Sequence, residues 1–162
     1  NKTYPSIAHY ARDVNLGRFE DKYTKGIILR EKAFVDASMK VGGMVATHRF
    51  SILSNHMADF REYEHGTNWG LCVANKDSHF KVLDIFKHNG KTQIILLHLP
   101  DNSWEVFLDI TINIDDELVE KVRESFKNKI NMRPYEELTT DEWLQRCSFP
   151  IGINDEGVYF EL

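Results

Sequence analysis

Cys72, His98 and the acids Asp101 and Asp109 follow one another along the chain in an order that suits nucleophilic catalysis. In such an arrangement a thiolate attacks, an imidazole takes and returns the proton, and a carboxylate orients the ring. The thiol must sit where its pKa falls, typically at a helix N-terminus. Positions 69–74 read instead as an apolar strand with Cys72 inside it. Cys147 stands far along the chain, at the end of a short helix, in no metal or redox spacing with Cys72. Both thiols are expected to be free and buried, because nothing in the chain points to an oxidising compartment.

His56, Asp59, Glu62 and His65 recur at every third position of a segment, 55–64, whose Met57, Phe60 and Tyr63 suggest a short helix stopped by Gly66. Metal ligands on a helix must converge on one ion. At 3.6 residues per turn His65 has rotated away from His56, so a solvated polar face is expected and no metal. Asp84 is the carboxylate most exposed to an apolar setting. Its strand face should carry Phe80, Val82 and Phe86, with Ile95 opposite. Burial there either raises its pKa or recruits a nearby cation. Tyr63, Trp69, Trp104, Tyr135 and Trp143 lie near loops or helix starts, where aromatics either anchor a partner or close the ends of a core. The chain contains no phosphate-binding loop, dinucleotide fingerprint, Gly-x-Ser-x-Gly elbow or RNA-binding aromatic motif, so no cofactor is expected.

The elements that must position these groups have uneven signatures. The strongest is Asn89-Gly90, the preferred pair for a two-residue type I′ turn between 79–88 and 91–99. A regular hairpin about that turn pairs Ile85 with Ile94, Leu83 with Leu96, Lys81 with His98, Asp84 with Ile95, Val82 with Leu97 and Phe80 with Leu99. Both faces of 94–99 are then apolar, as in a central strand covered on both sides, with 69–74 as its neighbour. A strand is expected from Gly26, and another over 44–53, broken from the first by Gly42-Gly43. Residues 6–13 suggest a short helix capped by Ser6. After Pro100, positions 102–108 suggest a helical turn, and Ile110, Ile112 and Ile114 alternate with polar residues as a half-buried strand. Asp115 should cap a helix over about 116–130 with an apolar stripe of Leu118, Val119, Val122, Phe126 and Ile130. Thr139 and Glu142 suggest a capping box for a second short helix, and 158–162 a closing strand. Strands and helices come in groups, so the fold class is α+β. We expect a single domain over 1–162, mainly an antiparallel sheet with a central hairpin, packed by the C-terminal helix and shorter helices.

The 162 residues carry 20 Lys+Arg against 25 Asp+Glu, a net charge of −5. The balance is split. Positions 1–100 hold 14 bases and 10 acids, leaving 6 bases and 15 acids in 101–162. The bases are scattered without a run of three, which argues against a nucleic-acid partner, and no apolar stretch is long enough to span a membrane. No signal peptide is visible, so a cytoplasmic location is expected, although a start at Asn1 leaves a removed leader open. The economical functional reading is a non-enzymatic interaction module that regulates or neutralises a basic protein partner. Its surface would be acidic, with Glu120, Glu124, Glu136 and Glu137 as binding residues. The alternative is a small hydrolase using Cys72, His98 and Asp109, and a small-ligand-binding domain ranks third.

Overall fold

The computed structural model describes residues 7–101, 104–107 and 113–162. Asn89 and Gly90 both have positive φ, 52° and 77°. That backbone is the one a type I′ turn demands and an Asn-Gly pair tolerates. The turn joins β7 (Ser78–His88) to β8 (Lys91–His98). β8 lies inside the sheet, antiparallel to β7 and parallel to β4 (His48–Ser54). The remaining strands are β1 (Ala8–Val14), β2 (Ile28–Glu31), β3 (Val35–Ser38), β5 (Ala58–Asp59) and β6 (Leu71–Ala74). They complete an eight-stranded sheet of order β2-β7-β8-β4-β1-β3-β6-β5. The fold is α+β and mainly antiparallel, as expected.

The expected hairpin register holds only near the turn. Ile85 pairs with Ile94 and Asp84 with Ile95, but a β-bulge then shifts the ladder, so that Val82 meets Leu96, Lys81 meets Leu97 and Phe80 meets His98. Leu83 is the extra residue. Because side chains alternate between faces, one inserted residue reverses every later assignment. Phe80 and Val82 thus join Phe50, Ile52, Ile94 and Leu96 in the main core. Leu83 packs with Leu53, Ile95, Leu97 and Leu99 against Val122 on the opposite face. Asp84 stays opposite Ile95 on that second face, and the bulge removes Val82 and Phe80 from it.

The covering element there is α1 (Asn113–Lys129), which begins before the expected 116, so Asp115 lies inside it rather than capping it. The strand expected around 110–114 falls outside the described residues at 109–112, and its last two positions are helical. Of the turn expected at 102–108, Trp104–Phe107 forms a 3₁₀ turn. The second helix, α2 (Asp141–Arg146), is capped by Thr140, whose hydroxyl accepts from Trp143 N at 3.4 Å. The expected cap, Thr139, donates to Glu136 O instead. Leu138, Trp143 and Cys147 form a third cluster with Trp69, Leu71 and Val73 of the β6 region.

Other expectations fail for tertiary reasons. The helix expected at 6–13 is strand β1, paired along its whole length with β4. Its charged pair Arg12 and Asp13 is buried and held by distant partners, which hides the alternation. The helix expected at 55–64 is strand β5 and a 3₁₀ turn, Arg61–Tyr63. Asp59 pins that turn by accepting from Arg61 N, and Ala58 pairs with Val73. β6 is not beside the hairpin but pairs with β3 and β5. The closing strand at 158–162 reduces to one bridge, Ile153 with Tyr159.

Candidate functional site

Arg12 projects from β1 on the same face as Tyr10 and Val14, opposite Phe50 of β4. It is 5% exposed. Its Nη1 donates to Asp36 O at 3.1 Å and its Nη2 to Phe149 O at 2.7 Å, whereas the buried Nε has no partner. A guanidinium stays charged and brings five N–H donors. A buried one facing two carbonyls and an unused donor is therefore poised for an acceptor, best an anionic one. Arg12 lines a cleft of about 410 Å³ whose apolar walls include Phe34, Phe149 and Phe160. Arg146 of α2 brings a second cation to the same cleft and holds Asp36 at 3.1 Å. Burial raises the pKa of Asp36, against the pull of Arg146 and Arg12.

The segment after α2 closes one side of this cleft, held by side chains from far up the chain. Tyr23 Oη donates to Ile151 O at 2.6 Å, and Glu31 accepts from Gly152 N at 2.8 Å and from Ala33 N at 2.9 Å. Gly152 has φ +86°, and a Cβ there would run into Leu29, so only glycine fits this crossing. Glu31 is committed to these backbone donors and offers little to a ligand.

On the other side of Phe34 lies a second cleft of about 390 Å³, reached by Phe60, His56, His98 and Asp101. His98 is 5% exposed, and burial, followed by the neighbouring His56, lowers its pKa to about 3. Its protonation pattern follows from its partners. Ser78 Oγ donates to Asn75 O at 2.7 Å, so it accepts from His98 Nε2 at 3.1 Å. That leaves Nδ1 as the acceptor for Ser54 Oγ at 2.7 Å. Ser54 is 1% exposed and also accepts from His56 N. The Ser54–His98–Ser78 chain is thus a saturated polar strut with a weakly basic ring.

These contacts correct the expected catalytic group. Cys72 is 3% exposed, and desolvation pushes its thiol up to about 11, the opposite of activation. Its strand is separated from that of His98 by β4, β1 and β3 in the sheet, and both nitrogens of His98 are taken by serines. Asp109 lies outside the described residues. Both cysteines are free and buried, as expected. Among the described residues no group of His, Cys, Asp and Glu could hold a metal. Asp59 is tied to Arg61, and His56 stacks on His98.

Asp84 takes the cation option, accepting from Arg123 Nε at 2.8 Å and Nη2 at 2.5 Å. Glu120 and Glu124 stand exposed on α1, with Glu124 at 3.1 Å from Lys127. Glu136 and Glu137 belong to a separate 3₁₀ turn that packs through Leu138 toward β6, and Glu137 faces Lys40 at 3.7 Å. Trp69 and Trp143 close a core, their rings 5.2 Å apart, whereas Tyr63 and Tyr135 are exposed. Of the aromatics that line the clefts, Phe34 and Phe149 escaped the sequence reading, as did Arg12, and Phe60 was read only as a packing residue of a helix. The one local signal for Arg12 was an adjacent Arg-Asp pair within an otherwise uncharged stretch.

No protein-family model matches the chain, and no curated protein matches it in sequence. Its fold does have counterparts among solved structures. The C3 exoenzyme of Clostridium limosum matches with a TM-score of 0.52 at 10% identity, over 60% of this chain and 62% of that one. The type III effector XopAI of Xanthomonas axonopodis pv. citri matches with a TM-score of 0.51 at 11% identity, over 62% and 44%. The ADP-ribosyltransferase HopU1 of Pseudomonas syringae pv. Tomato gives 0.49 at 16% identity, over 57% and 45%. The match to each thus spans between 44% and 62% of the solved chain. The fold is ADP-ribosyltransferase-like. That finding overturns the expected non-enzymatic module with an acidic C-terminal surface, and the thiol hydrolase with it.

Proposed function

We propose that this chain is an ADP-ribosyltransferase-type domain that takes NAD as substrate in the Arg12 cleft. The observation that carries the reading is the likeness of the fold. The unpartnered Nε of Arg12 supports the placement, since a dinucleotide presents a pyrophosphate, the acceptor that a buried guanidinium lacks. Arg146 adds a second positive charge, and Phe34, Phe149 and Phe160 offer apolar surface for planar rings. When bound, NAD supplies an ADP-ribosyl group whose bond to nicotinamide is broken during transfer. The chain's part is to hold the diphosphate and to exclude water behind the segment after α2.

The test is NAD titration by calorimetry, paired with chromatographic detection of released nicotinamide in the presence of candidate acceptor proteins. Arg12→Lys keeps a positive charge but removes the Nε donor. It should weaken NAD binding by about tenfold or more, as the loss of a charge-assisted hydrogen bond implies. Arg146→Gln should weaken it less, because Arg146 is partly exposed and shared with Asp36. An NAD affinity that Arg12→Lys leaves unchanged, or no NAD binding at millimolar concentration, refutes the reading.

A further inference from the structure

The second cleft carries a feature the dinucleotide reading does not use. Phe80, His98 and His56 form a column of rings that runs from the core to the surface. The Phe80–His98 centroids are 5.0 Å apart at 21°, and those of His98 and His56 are 3.7 Å apart at 18°. Phe80 is buried and His98 nearly so, while His56 is exposed and lines the cleft. One face of His56 is covered by His98, and the column ends at the cleft. Phe60, 39% exposed, and Phe34, 54% exposed, stand on the same cleft. Burying them against a flat ring would remove apolar surface from water. Lys76 Nζ lies 5.7 Å from the Phe34 ring centroid, and the Phe60 ring lies 5.8 Å from that of Tyr63.

The polar groups narrow the ligand. Among the described residues no Lys or Arg lines this cleft, and Asp101 does. A phosphate inside the cleft would meet the Asp101 carboxylate, while Lys76 stands over the Phe34 ring and is not among the lining residues, so the lining favours an uncharged or amine-bearing ligand over a nucleotide phosphate. A planar heterocycle bearing an amino group could use His56, Phe60 and Asp101 together. It continues the stack on His56, sets its edge against Phe60 and donates its amine to Asp101, with the Asn75 side chain as a further polar contact. We infer that the cleft floored by His56 and His98 is a binding site for an amino-purine base or nucleoside, distinct from the Arg12 cleft beyond Phe34.

The experiment is NMR titration of the full chain with adenosine, with purine riboside, which lacks the 6-amino group, and with NAD. Adenosine should shift the His56 ring protons upfield. Removing an exposed stacking ring costs about tenfold in affinity, so His56→Ala and Phe60→Leu, both surface changes, should each weaken adenosine by about that factor. Asp101→Asn should weaken adenosine and leave purine riboside unchanged. Arg12→Lys should leave adenosine unchanged. If NAD does not bind at all and adenosine still shifts His56, the dinucleotide reading falls and this site stands. No His56 shift with millimolar adenosine, adenosine binding that survives both ring variants, or adenosine binding lost in Arg12→Lys would overturn it.

Discussion

Replacing Arg123 with Met tests whether Asp84, beside the bulge at Leu83, is a buried carboxylate that depends on one cation. Asp84 has a side chain 3% exposed, and Arg123, 31% exposed, grips it with two nitrogens. Truncating one partner of a buried pair costs about 3–5 kcal/mol, because the other charge is left in a poor solvent. An exposed pair is worth about 0–1 kcal/mol. The pair here has one buried and one partly wetted member, so we expect about 2–3 kcal/mol for the charge. The Arg123 guanidinium also lies 4.7 Å from the Phe86 ring centroid, which adds about 0.5 kcal/mol in a partly exposed setting. The total of about 3 kcal/mol corresponds to a fall in melting temperature of about 6–12 °C for a domain of this size. Met keeps most of the apolar stem, so the loss reads out the charge. Urea unfolding of wild type, Arg123→Met, Asp84→Asn and the double variant closes a mutant cycle. The double variant should recover part of the loss, since it no longer buries an unpaired charge. A cost below about 0.5 kcal/mol for Arg123→Met, or no recovery in the double variant, would mean that Asp84 is adequately solvated and does not depend on Arg123.

Three further outcomes are expected. Burial, then Arg49 and Lys129, lowers the pKa of His9 to about 4, and burial, then His56, lowers that of His98 to about 3, both from 6.5. The unfolded chain therefore binds protons that the native state refuses. Stability present above pH 6.5 should drain as pH falls toward 4 and then 3, by on the order of 3 kcal/mol per ring. Urea unfolding at several pH values checks this, and the double variant His9→Gln, His98→Asn should flatten the profile. Desolvation pushes Cys72 to about 11 and Cys147 to about 12, so neither thiol should react with a disulfide reagent near neutral pH until the chain unfolds. Rapid native labelling would contradict their burial. A Cβ at Gly43 would enter the backbone of Met132 and Pro134, so Gly43→Ala should lower stability by about 1–3 kcal/mol, read as a shift of the urea midpoint.

The hairpin was legible because its determinants are local. Two adjacent residues that accept positive φ set the turn, and a doubly apolar stretch paired about that turn reads as a covered strand. The helix over 113–129 was legible for the same kind of reason, since its apolar stripe repeats at helical spacing within its own length. His98 was visible as a group able to do chemistry, but its role was not. Whether a His is a base or a strut depends on Ser54 and Ser78, which stand 44 and 20 positions away. Leu83 looked like any strand residue, and only pairing against a partner reveals that one residue is surplus.

Arg12 shows the limit most clearly. In isolation an Arg-Asp pair weighs against a buried strand, because burying a charge without partners is costly. The fold offsets that cost with the carbonyls of Asp36 and Phe149, 24 and 137 positions along the chain, and with Arg49 for Asp13. Local propensity cannot register such partners. The amino-acid order alone determined the turn, the central strand and the main helix. Tertiary structure decided which faces were buried, which charges were satisfied and where the two clefts opened, since each of those depends on groups that meet only when distant segments pack.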